Sequence, residues 1–204
     1  MPKKNTKVRS RKEKLLFEFR RKFVHAFALL SIPIYYFFFT LVGKQITLLG
    51  FLFVLLFFIV LEYFRIYEGK RFPIINLLWR EKEGSGLGGQ VYFMIGIIIA
   101  FSIFDFRIAM TAILMTTFGD MAAALFGIAF GKHKVIGNKT WEGTSAEFVV
   151  NLLIGILIIK SWTIAIPMAL TATIVEVVFP HVDDNLAIPT FSGFIGQCLQ
   201  IIVR

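Results

Sequence analysis

The sequence predicts an all-α fold: a polytopic transmembrane helical bundle of about seven spans, with its N-terminus in the cytosol. Apolar residues make up 57% of the 204 residues and charged residues only 17%, whereas a soluble domain carries about 45–50% apolar and about 25% charged residues. Runs such as Ile46–Leu61 contain no charge at all. Lysine and arginine are also distributed unequally along the chain, as they are in proteins that cross a membrane.

The predicted spans follow from the length of each apolar run, because a helix needs about 20 mainly apolar residues to cross the hydrocarbon core, with a range of about 17–25. The first two runs are separated only by Gly43-Lys44-Gln45, and the third reaches spanning length only if it starts near Gly88. Residues 1–22 form a basic cytosolic arm, and residues 23–204 form one transmembrane domain that carries the predicted catalytic groups. The predicted spans are Phe23–Val42, Ile46–Phe64, Val91–Phe104, Ile108–Phe130, Ser145–Ile159, Trp162–Phe179 and Leu186–Val203.

The positions of the basic residues orient these spans. With the N-terminus inside, the inner segments 1–22, 65–90 and 131–143 carry 18 lysine and arginine residues, and the outer segments carry only 4. Cytoplasmic loops are normally the more basic ones, so we expect an integral multi-pass membrane protein whose long polar connections face the cytosol. The net charge of +9 comes largely from the N-terminal arm, where it indicates contact with anionic lipid and argues against a nucleic-acid partner.

Carboxylates within or beside the spans are the first candidate functional residues. Asp120 lies near the middle of a predicted span, where a charge is costly and normally faces the interior of the bundle. Asp183 and Asp184, with the amide oxygen of Asn185, follow Glu176 at a membrane boundary. Such oxygen atoms are typical ligands of a hard divalent cation. The alternative is a turn in which Asp184 or Asn185 caps the final helix.

The depth of Asp120 has a structural consequence. Asp120 lies 12 residues before Lys132, which is about 18 Å along a straight helix. A nucleotide bound at the membrane surface would not reach that depth. The sequence therefore predicts either a polar cavity that opens from the cytosol or a helix that breaks near Gly119.

Basic residues near the same boundary are candidates for phosphate binding. Lys132, Lys134 and Lys139 place three ammonium groups within eight residues, which suits a polyphosphate. Arg21, Lys22 and His25 share one face of a helix because they are three or four residues apart. Arg21 and Lys22 alone could simply snorkel to lipid phosphates, but a histidine just inside a span requires a polar partner.

Three further patterns allow less specific interpretations. Glu62 and Arg65 have i, i+3 spacing and form either an ordinary ion pair or part of the site. Gly84, Gly86 and Gly89 form a G-x-G-x-x-G pattern without a preceding strand, so a dinucleotide-binding fold is not indicated; the stretch is either a flexible connection or a helix N-terminus that receives an anion. Thr144-Ser145-Ala146-Glu147 is typical of a capping box, and this interpretation excludes Glu147 from the site.

Together these residues place acids suited to Mg²⁺ and bases suited to phosphate on one side of a membrane protein. Phosphoryl transfer depends mainly on positioning and on neutralising charge with metal ions and cationic side chains. The set of residues fits that chemistry, although composition alone does not identify the reaction.

Four groups of residues, in order along most of the chain, resemble the dolichol kinase, phytol kinase and yeast-type diacylglycerol kinase family, which is related to the phosphatidate cytidylyltransferases. The resemblance implies CTP as the phosphoryl donor, Mg²⁺ or a similar divalent cation, and a membrane lipid alcohol as the acceptor: a polyprenol or dolichol, a phytol-like alcohol or a diacylglycerol-like one. Met121 departs from the family, which often has threonine there. The groups are Arg21-Lys22-x-x-His25; Gly119-Asp120-x-Ala122-Ala123 with Gly131-Lys132-His133-Lys134; Thr140-x-Glu142-Gly143; and Glu176 with Asp183-Asp184-Asn185-Leu186-x-x-Pro189.

The resulting hypothesis is a CTP-dependent lipid-alcohol kinase whose active site faces the cytosol. The base that accepts the proton of the lipid hydroxyl is either His25 or a carboxylate. The predicted catalytic residues are Asp120, His25, Asp183 and Asp184. The predicted nucleotide- and phosphate-binding residues are Arg21, Lys22, Lys132, Lys134, Lys139, Glu142 and Asn185. The predicted metal ligands are Asp120, Glu176, Asp183 and Asp184.

Two other functions compete with this hypothesis. A CTP:phosphatidate cytidylyltransferase would use the same nucleotide, but the signature that we expect at the C-terminal end of that family is replaced here by Asp183-Asp184-Asn185. An ion-coupled transporter would also use a carboxylate inside the membrane. It would need polar residues across the whole membrane depth, whereas those of this chain are concentrated on one side.

Overall fold

The computed structural model describes residues 11, 15, 16, 19, 26–68, 86–137, 139–179 and 182–203. These residues form helices and no β-strand, which confirms the all-α class; Lys134 and Thr140 make one isolated antiparallel bridge. A 3₁₀ turn, Phe27–Leu30, precedes the first helix, and a π-helical turn, Met115–Gly119, joins the third helix to the fourth. The helices are α1 (Ser31–Tyr67), α2 (Gly89–Ile103), α3 (Phe106–Leu114), α4 (Asp120–Phe130), α5 (Trp141–Ile159), α6 (Trp162–Val178) and α7 (Asp184–Val203).

Four helical segments are long and apolar enough to cross a membrane. They are Phe27–Tyr67, Phe106–Phe130, Trp141–Ile159 and Asp184–Val203, and α2 and α6 are shorter apolar helices. Large apolar side chains cover the outer surface of the bundle, and Phe53 and Leu157 are 64% and 72% exposed. Such a surface is unfavourable in water but matches the hydrocarbon of a bilayer. The chain is therefore a membrane protein.

Helix α1 is interrupted where the sequence predicts a boundary between two spans. Gly43 has φ 82° and ψ 170°, which is not helical. This positive φ is readily adopted by glycine, because glycine has no Cβ. The neighbouring Lys44 donates a hydrogen bond from Nζ to the carbonyl oxygen of Ser102 at 2.8 Å. The break therefore divides α1 into two arms and places the junction beside the end of α2.

The core combines aromatic stacking with close helix packing. Tyr35 stacks on Phe101 with ring centroids 3.9 Å apart and an interplanar angle of 3°. Small side chains on α3 and α6, such as Ala112 and Ala172, are completely buried. Small residues let helix backbones approach closely, which is the usual way in which membrane helices pack. This packing holds α2, α3, α6 and α7 around a common core.

Glycine contacts fix the relative positions of the helices that carry the site. Gly127 of α4 lies against Gly143 of α5, and Gly119, at the end of the π-helical turn before α4, lies against Asn151 of α5, so α4 and α5 are antiparallel. On α2 and α7, Gly96 lies against the carbonyl of Asn185 and Phe104 lies against Gly193, so these helices are parallel. The N-terminal end of α7 is therefore level with the middle of α2.

Polar contacts between distant segments group at two opposite ends of the bundle. At one end, contacts join the break in α1 to the end of α2, and the α2–α3 connection to α7. At the other end, contacts join the N-terminal arm to α4, the end of α1 to the start of α2, and the α4–α5 connection to α6. The contacts at the first end are Lys44–Ser102 and Asp105–Gln197; those at the second are Arg11–Ile128, Arg65–Gly86 and Lys139–Glu176.

Candidate active site

Three carboxylates from three helices meet at the second end of the bundle. Oxygen atoms of Asp120, Glu176 and Asp184 all lie within 4.8 Å of one another. Asp120 begins α4 directly after the π-helical turn, Glu176 is near the end of α6, and Asp184 begins α7. Turns of this kind inside helices are often found at functional sites. We call these three residues the acidic cluster.

The acidic cluster fits a divalent cation on two observations. Its donors are carboxylate oxygens from separate helices, which are the ligands that Mg²⁺ prefers in proteins. Glu176 is only 4% exposed, and its Oε2 atom has no hydrogen-bond partner among the described residues. A buried carboxylate oxygen without a partner is costly, and a bound cation would remove that cost. Asp120, Glu176 and Asp184 are therefore the residues that would hold the metal.

The structure also shows how the other acids come near Asp120 although Asp120 lies far from the end of its helix. The helix does not break at Gly119; the π-helical turn keeps it continuous, and Asp120 still lies ten residues, about 15 Å, before the end of α4. Instead, the start of α7 is recessed. Asn185 contacts Gly96, which is seven residues, about 10 Å, inside α2. The other acids therefore descend to the level of Asp120.

Lys139 lies beside the acidic cluster. Its Nζ atom is 3.0 Å from Oε1 of Glu176 and also donates to the backbone carbonyl of the same residue. The side chain is 30% exposed, so one side of the ammonium group is still accessible. The sequence predicts Lys139 as a phosphate ligand. Lys139 lies between the α4–α5 connection and the acidic cluster. It therefore places one positive charge at the edge of the three carboxyl groups.

The sequence pattern interprets Glu147 as part of a capping box and therefore excludes it from the site. The structure shows that the capping-box interpretation is wrong. Helix α5 begins at Trp141, and Thr140 is its N-cap, accepting a hydrogen bond from the backbone amide of Gly143. Glu147 therefore lies well inside the helix, where it is 1% exposed and interacts electrostatically with Glu176 and Asp120. A stripe of small and polar residues at intervals of four, from Gly143 through Glu147 to Asn151, is the sequence signal that identifies this face.

The two consecutive aspartates have different environments. Oδ1 of Asp183 accepts hydrogen bonds from the backbone amide of Asn185 at 3.0 Å and from its side-chain amide at 2.7 Å. Asp183 therefore caps α7, whereas Asp184 belongs to the acidic cluster. Asn185 is buried against Asp183 and α2. Asp183 thus lies outside the acidic cluster. The nucleotide-binding role of Asn185 stays a prediction from the sequence.

The α4–α5 connection is a small hairpin. The backbone amide of Val135 donates a hydrogen bond to the carbonyl oxygen of Lys139, and Gly137 has a positive φ of 59°. Lys132 and Lys134 are exposed on this hairpin, as expected for groups that bind a phosphate from solution. Glu142 pairs with Nδ1 of His133 at 2.9 Å, so it fixes the hairpin to α5 and does not join the acidic cluster.

A second polar group joins α1 to α2. Glu62 is 1% exposed and pairs with Arg65 at 2.6 Å, as the i, i+3 spacing predicts. It also accepts hydrogen bonds from the amide of Gly88 at 3.1 Å and from the side chain of Gln90 at 2.7 Å. Glu62 thus binds the backbone amide of Gly88, the N-cap residue of α2. Of the two interpretations of the glycine stretch, this contact fits a helix N-terminus that receives an anion, and here the anion is a side chain of the same protein.

Some predicted residues lie outside the described part of the chain. These are Arg21 and Lys22 of the N-terminal arm, His25 at the start of the first predicted span, and Gly84 of the glycine stretch. Their roles stay predictions from the sequence. Arg11, in the same arm, donates a hydrogen bond to the carbonyl oxygen of Ile128 at 2.8 Å, so this part of the arm lies beside the end of α4 that carries the hairpin.

An apolar cavity of about 720 Å³ lies between the two arms of α1 and α2. Its lining includes the polar side chains Ser31, Thr47 and Gln90. Gly96 of α2 contacts the start of α7, and the next residue, Ile97, lines the cavity, so the same stretch of α2 contacts both. The apolar part of the lining includes Ile34, Phe38, Phe51, Phe58, Phe93 and Ile97.

The fold and site define a helical membrane protein with a partly buried acidic cluster at one end of its bundle. No family model and no solved structure matches the chain. It is 28% identical over 108 residues to CTP-dependent diacylglycerol kinase 1 of Eremothecium gossypii, covering 52% of this chain and 34% of the relative. It is 32% identical over 78 residues to CTP-dependent diacylglycerol kinase 1 of Schizosaccharomyces pombe, covering 37% and 36%.

A third relative is an uncharacterized protein of Methanocaldococcus jannaschii, 36% identical over 126 residues that cover 60% of this chain and 63% of the relative. The chain thus spans about a third of the length of the fungal relatives that it matches. The similarities to the fungal kinases confirm the resemblance to the CTP-dependent lipid kinase family.

Proposed function

We propose that this protein is a membrane lipid kinase that transfers the γ-phosphate of CTP to the hydroxyl group of a lipid alcohol. The observation that carries the proposal is the acidic cluster of Asp120, Glu176 and Asp184, with Lys139 at its edge. Carboxylates that hold a divalent cation, together with nearby ammonium groups, are the parts that phosphoryl transfer requires. The similarity to CTP-dependent diacylglycerol kinases supports CTP as the nucleotide.

In the proposed reaction the oxygen atom of the lipid hydroxyl attacks the γ-phosphorus of CTP. A new O–P bond forms, the bond from the γ-phosphorus to the bridging oxygen breaks, and CDP leaves with those electrons. The hydroxyl proton passes to a base, either His25 or a carboxylate. A divalent cation held by Asp120, Glu176 and Asp184 would neutralise charge on the phosphate oxygens.

The basic residues have a separate task in this proposal, which is to bind and orient the polyphosphate. Lys132 and Lys134 are exposed on the hairpin between α4 and α5, and Lys139 connects that hairpin to the acidic cluster. Arg21 and Lys22 would approach from the N-terminal arm. Several fixed cations around a transferring phosphoryl group stabilise the charge that spreads over its oxygens.

The apolar cavity supports a lipid acceptor over a water-soluble one. A polyprenol, a phytol-like alcohol and a diacylglycerol each have a long apolar tail and one hydroxyl group. A cavity of about 720 Å³ between α1 and α2 offers apolar surface for such a tail. We propose that the tail occupies this cavity, and that the hydroxyl group passes around the inner end of α2 to reach the acidic cluster.

We propose that the chain crosses the membrane about seven times, with the N-terminus and the active site in the cytosol. Single cysteines introduced in a Cys198→Ser background test this topology. Cysteines at Glu81 and Asn138 are expected to react with an impermeant reagent added to the cytosolic side, and those at Lys44 and Arg107 with the reagent added to the other side. If position 138 reacts from the outer side, the shared cytosolic site is excluded.

Donor choice tests the function itself. Purified protein, incubated with Mg²⁺, a panel of lipid alcohols and either nucleotide, is expected to use CTP with a higher kcat/KM than ATP and to lose activity when EDTA removes the metal. Mass spectrometry of the lipid products identifies the acceptor. Equal or better activity with ATP would argue against CTP as the donor, and the absence of any phosphorylated lipid would argue against a kinase.

A further inference from the structure

Six buried polar atoms beneath the acidic cluster have no hydrogen-bond partner within the described residues. They are both carboxylate oxygens of Glu147, both amide atoms of Asn151, the hydroxyl of Thr173 and Oε2 of Glu176. The four residues are only 1%, 0%, 7% and 4% exposed, respectively. Buried polar side chains almost always have a partner, and a group of exceptions needs an explanation such as an ion or water.

These side chains belong to two neighbouring helices and lie at similar heights in the bundle. Glu147 and Asn151 are four residues apart on α5, and Thr173 and Glu176 are three residues apart on α6. Neighbours at these spacings share one helix face. Gly155 on α5 packs against Ala165 on α6. Because α5 and α6 are antiparallel, Glu147, eight residues before Gly155, lies at the same height as Thr173, eight residues after Ala165.

Two direct contacts confirm that this group adjoins the acidic cluster. The carboxyl groups of Glu147 and Glu176 are close enough to share a hydrogen bond when one of them carries a proton, and Glu147 also interacts electrostatically with Asp120. The amide of Asn151 lies against Gly119, the residue before Asp120, so closely that a Cβ at position 119 would be 2.4 Å from its Oδ1 atom. The unpartnered atoms therefore continue from the cluster toward the middle of the bundle.

The chemistry of the group indicates its ligand. It offers carboxylate, amide and hydroxyl oxygens, all of which are ligands for hard cations. An anion would be repelled by the two carboxylates. Two adjacent carboxyl groups inside the bundle need either a shared proton or a cation, and a shared proton would leave the amide of Asn151 and the hydroxyl of Thr173 without a partner. Lys139 is one ammonium group beside four carboxylates and already pairs with Oε1 of Glu176.

We infer that Glu147, Asn151, Thr173 and Glu176 bind a second divalent cation, deeper than the one proposed at the acidic cluster and sharing Glu176 with it. Paired metal ions in phosphoryl-transfer enzymes lie about 3.5–4 Å apart, and a shared carboxylate fits that separation. The evidence for the second binding site is the group of buried atoms without a partner, and it does not depend on the proposed function. A role for the second ion in stabilising the transferred phosphoryl group rests on the proposed function.

Manganese binding tests the site without an activity assay. Purified protein, freed of metal and then titrated with Mn²⁺ in the absence of nucleotide and lipid, is expected to bind about two ions per chain. Two ions at such a short distance couple magnetically, so the electron paramagnetic resonance spectrum should show a coupled pair. Glu147→Gln and Asn151→Ala should each bind one ion with an uncoupled spectrum, and Asp184→Asn should also lose the coupling.

Glu142→Gln is the matched control, because Glu142 lies on the same helix but pairs with His133 at the exposed end. It should keep both ions. Thermal unfolding separates loss of an ion from loss of fold: without metal, Glu147→Gln should be as stable as the parent protein, and only its stabilisation by Mn²⁺ should shrink. One uncoupled ion in the parent protein, or two coupled ions in Glu147→Gln, would overturn the inference.

The same preparations separate this inference from the proposed function. A coupled ion pair in a protein that phosphorylates no lipid supports the second site and contradicts the kinase. An active kinase that binds a single Mn²⁺ ion, and in which Glu147→Gln changes neither binding nor turnover, contradicts the second site and leaves the kinase in place.

Discussion

Replacing Asp120 with asparagine is expected to lower turnover by about two orders of magnitude or more, without lowering thermal stability. The change keeps the volume of the side chain but removes one charge from the acidic cluster. Metal ions contribute several kcal/mol to the stabilisation of charge in such transition states, and each 1.36 kcal/mol corresponds to about a tenfold change in rate. Removing one of several like charges also relieves repulsion in the folded state.

Turnover and thermal unfolding should be measured on the same preparation of this variant. Asp105→Asn provides a control of the same chemistry at the opposite end of the bundle, where Asp105 accepts a hydrogen bond from Gln200 at 2.8 Å. It is expected to retain turnover. A folded Asp120→Asn protein with near-normal turnover would contradict the metal-binding role, and a loss of stability alone would indicate a contact between helices.

The second large effect on turnover is expected at Asp184, and the adjacent Asp183 provides the control. Asp184→Asn removes a member of the acidic cluster and should reduce turnover about as strongly as Asp120→Asn, with a higher Mg²⁺ concentration needed for half-maximal rate. Asp183→Asn should change little, because Asp183 is the helix cap and asparagine caps about as well as aspartate. Equal losses in both variants would show that the whole turn is needed, and that Asp184 has no distinct role.

Much of the fold could be predicted because the apolar runs are long and their boundaries are chemically clear. The interruption at Gly43 follows from a glycine and a lysine between two apolar runs, and the structure places it there. Helix α2 likewise starts at Gly89, close to the predicted Gly88, but its 15 residues are fewer than the about 17 that a span needs. Such features depend on residues that are near each other in sequence, so local patterns are sufficient.

The candidate site was harder to predict because it depends on contacts between helices. Consecutive residues point in different directions around a helix, so the sequence does not show which of Asp183 and Asp184 faces Asp120. Two threonines, Thr140 and Thr144, could each cap α5, and choosing the second moved Glu147 from the buried face to the helix start. The recessed start of α7 follows from the contact of Asn185 with Gly96, which no local pattern reveals.

The most direct test of the proposed function follows the label from CTP into lipid. Purified protein would be incubated with Mg²⁺ and mixed lipid alcohols and phosphatidate, in parallel with CTP labelled at the γ-phosphate and CTP labelled at the α-phosphate. A lipid kinase transfers label to lipid from the γ position only. Transfer from the α position would contradict the kinase and identify a cytidylyltransferase, and transfer from neither position would contradict both.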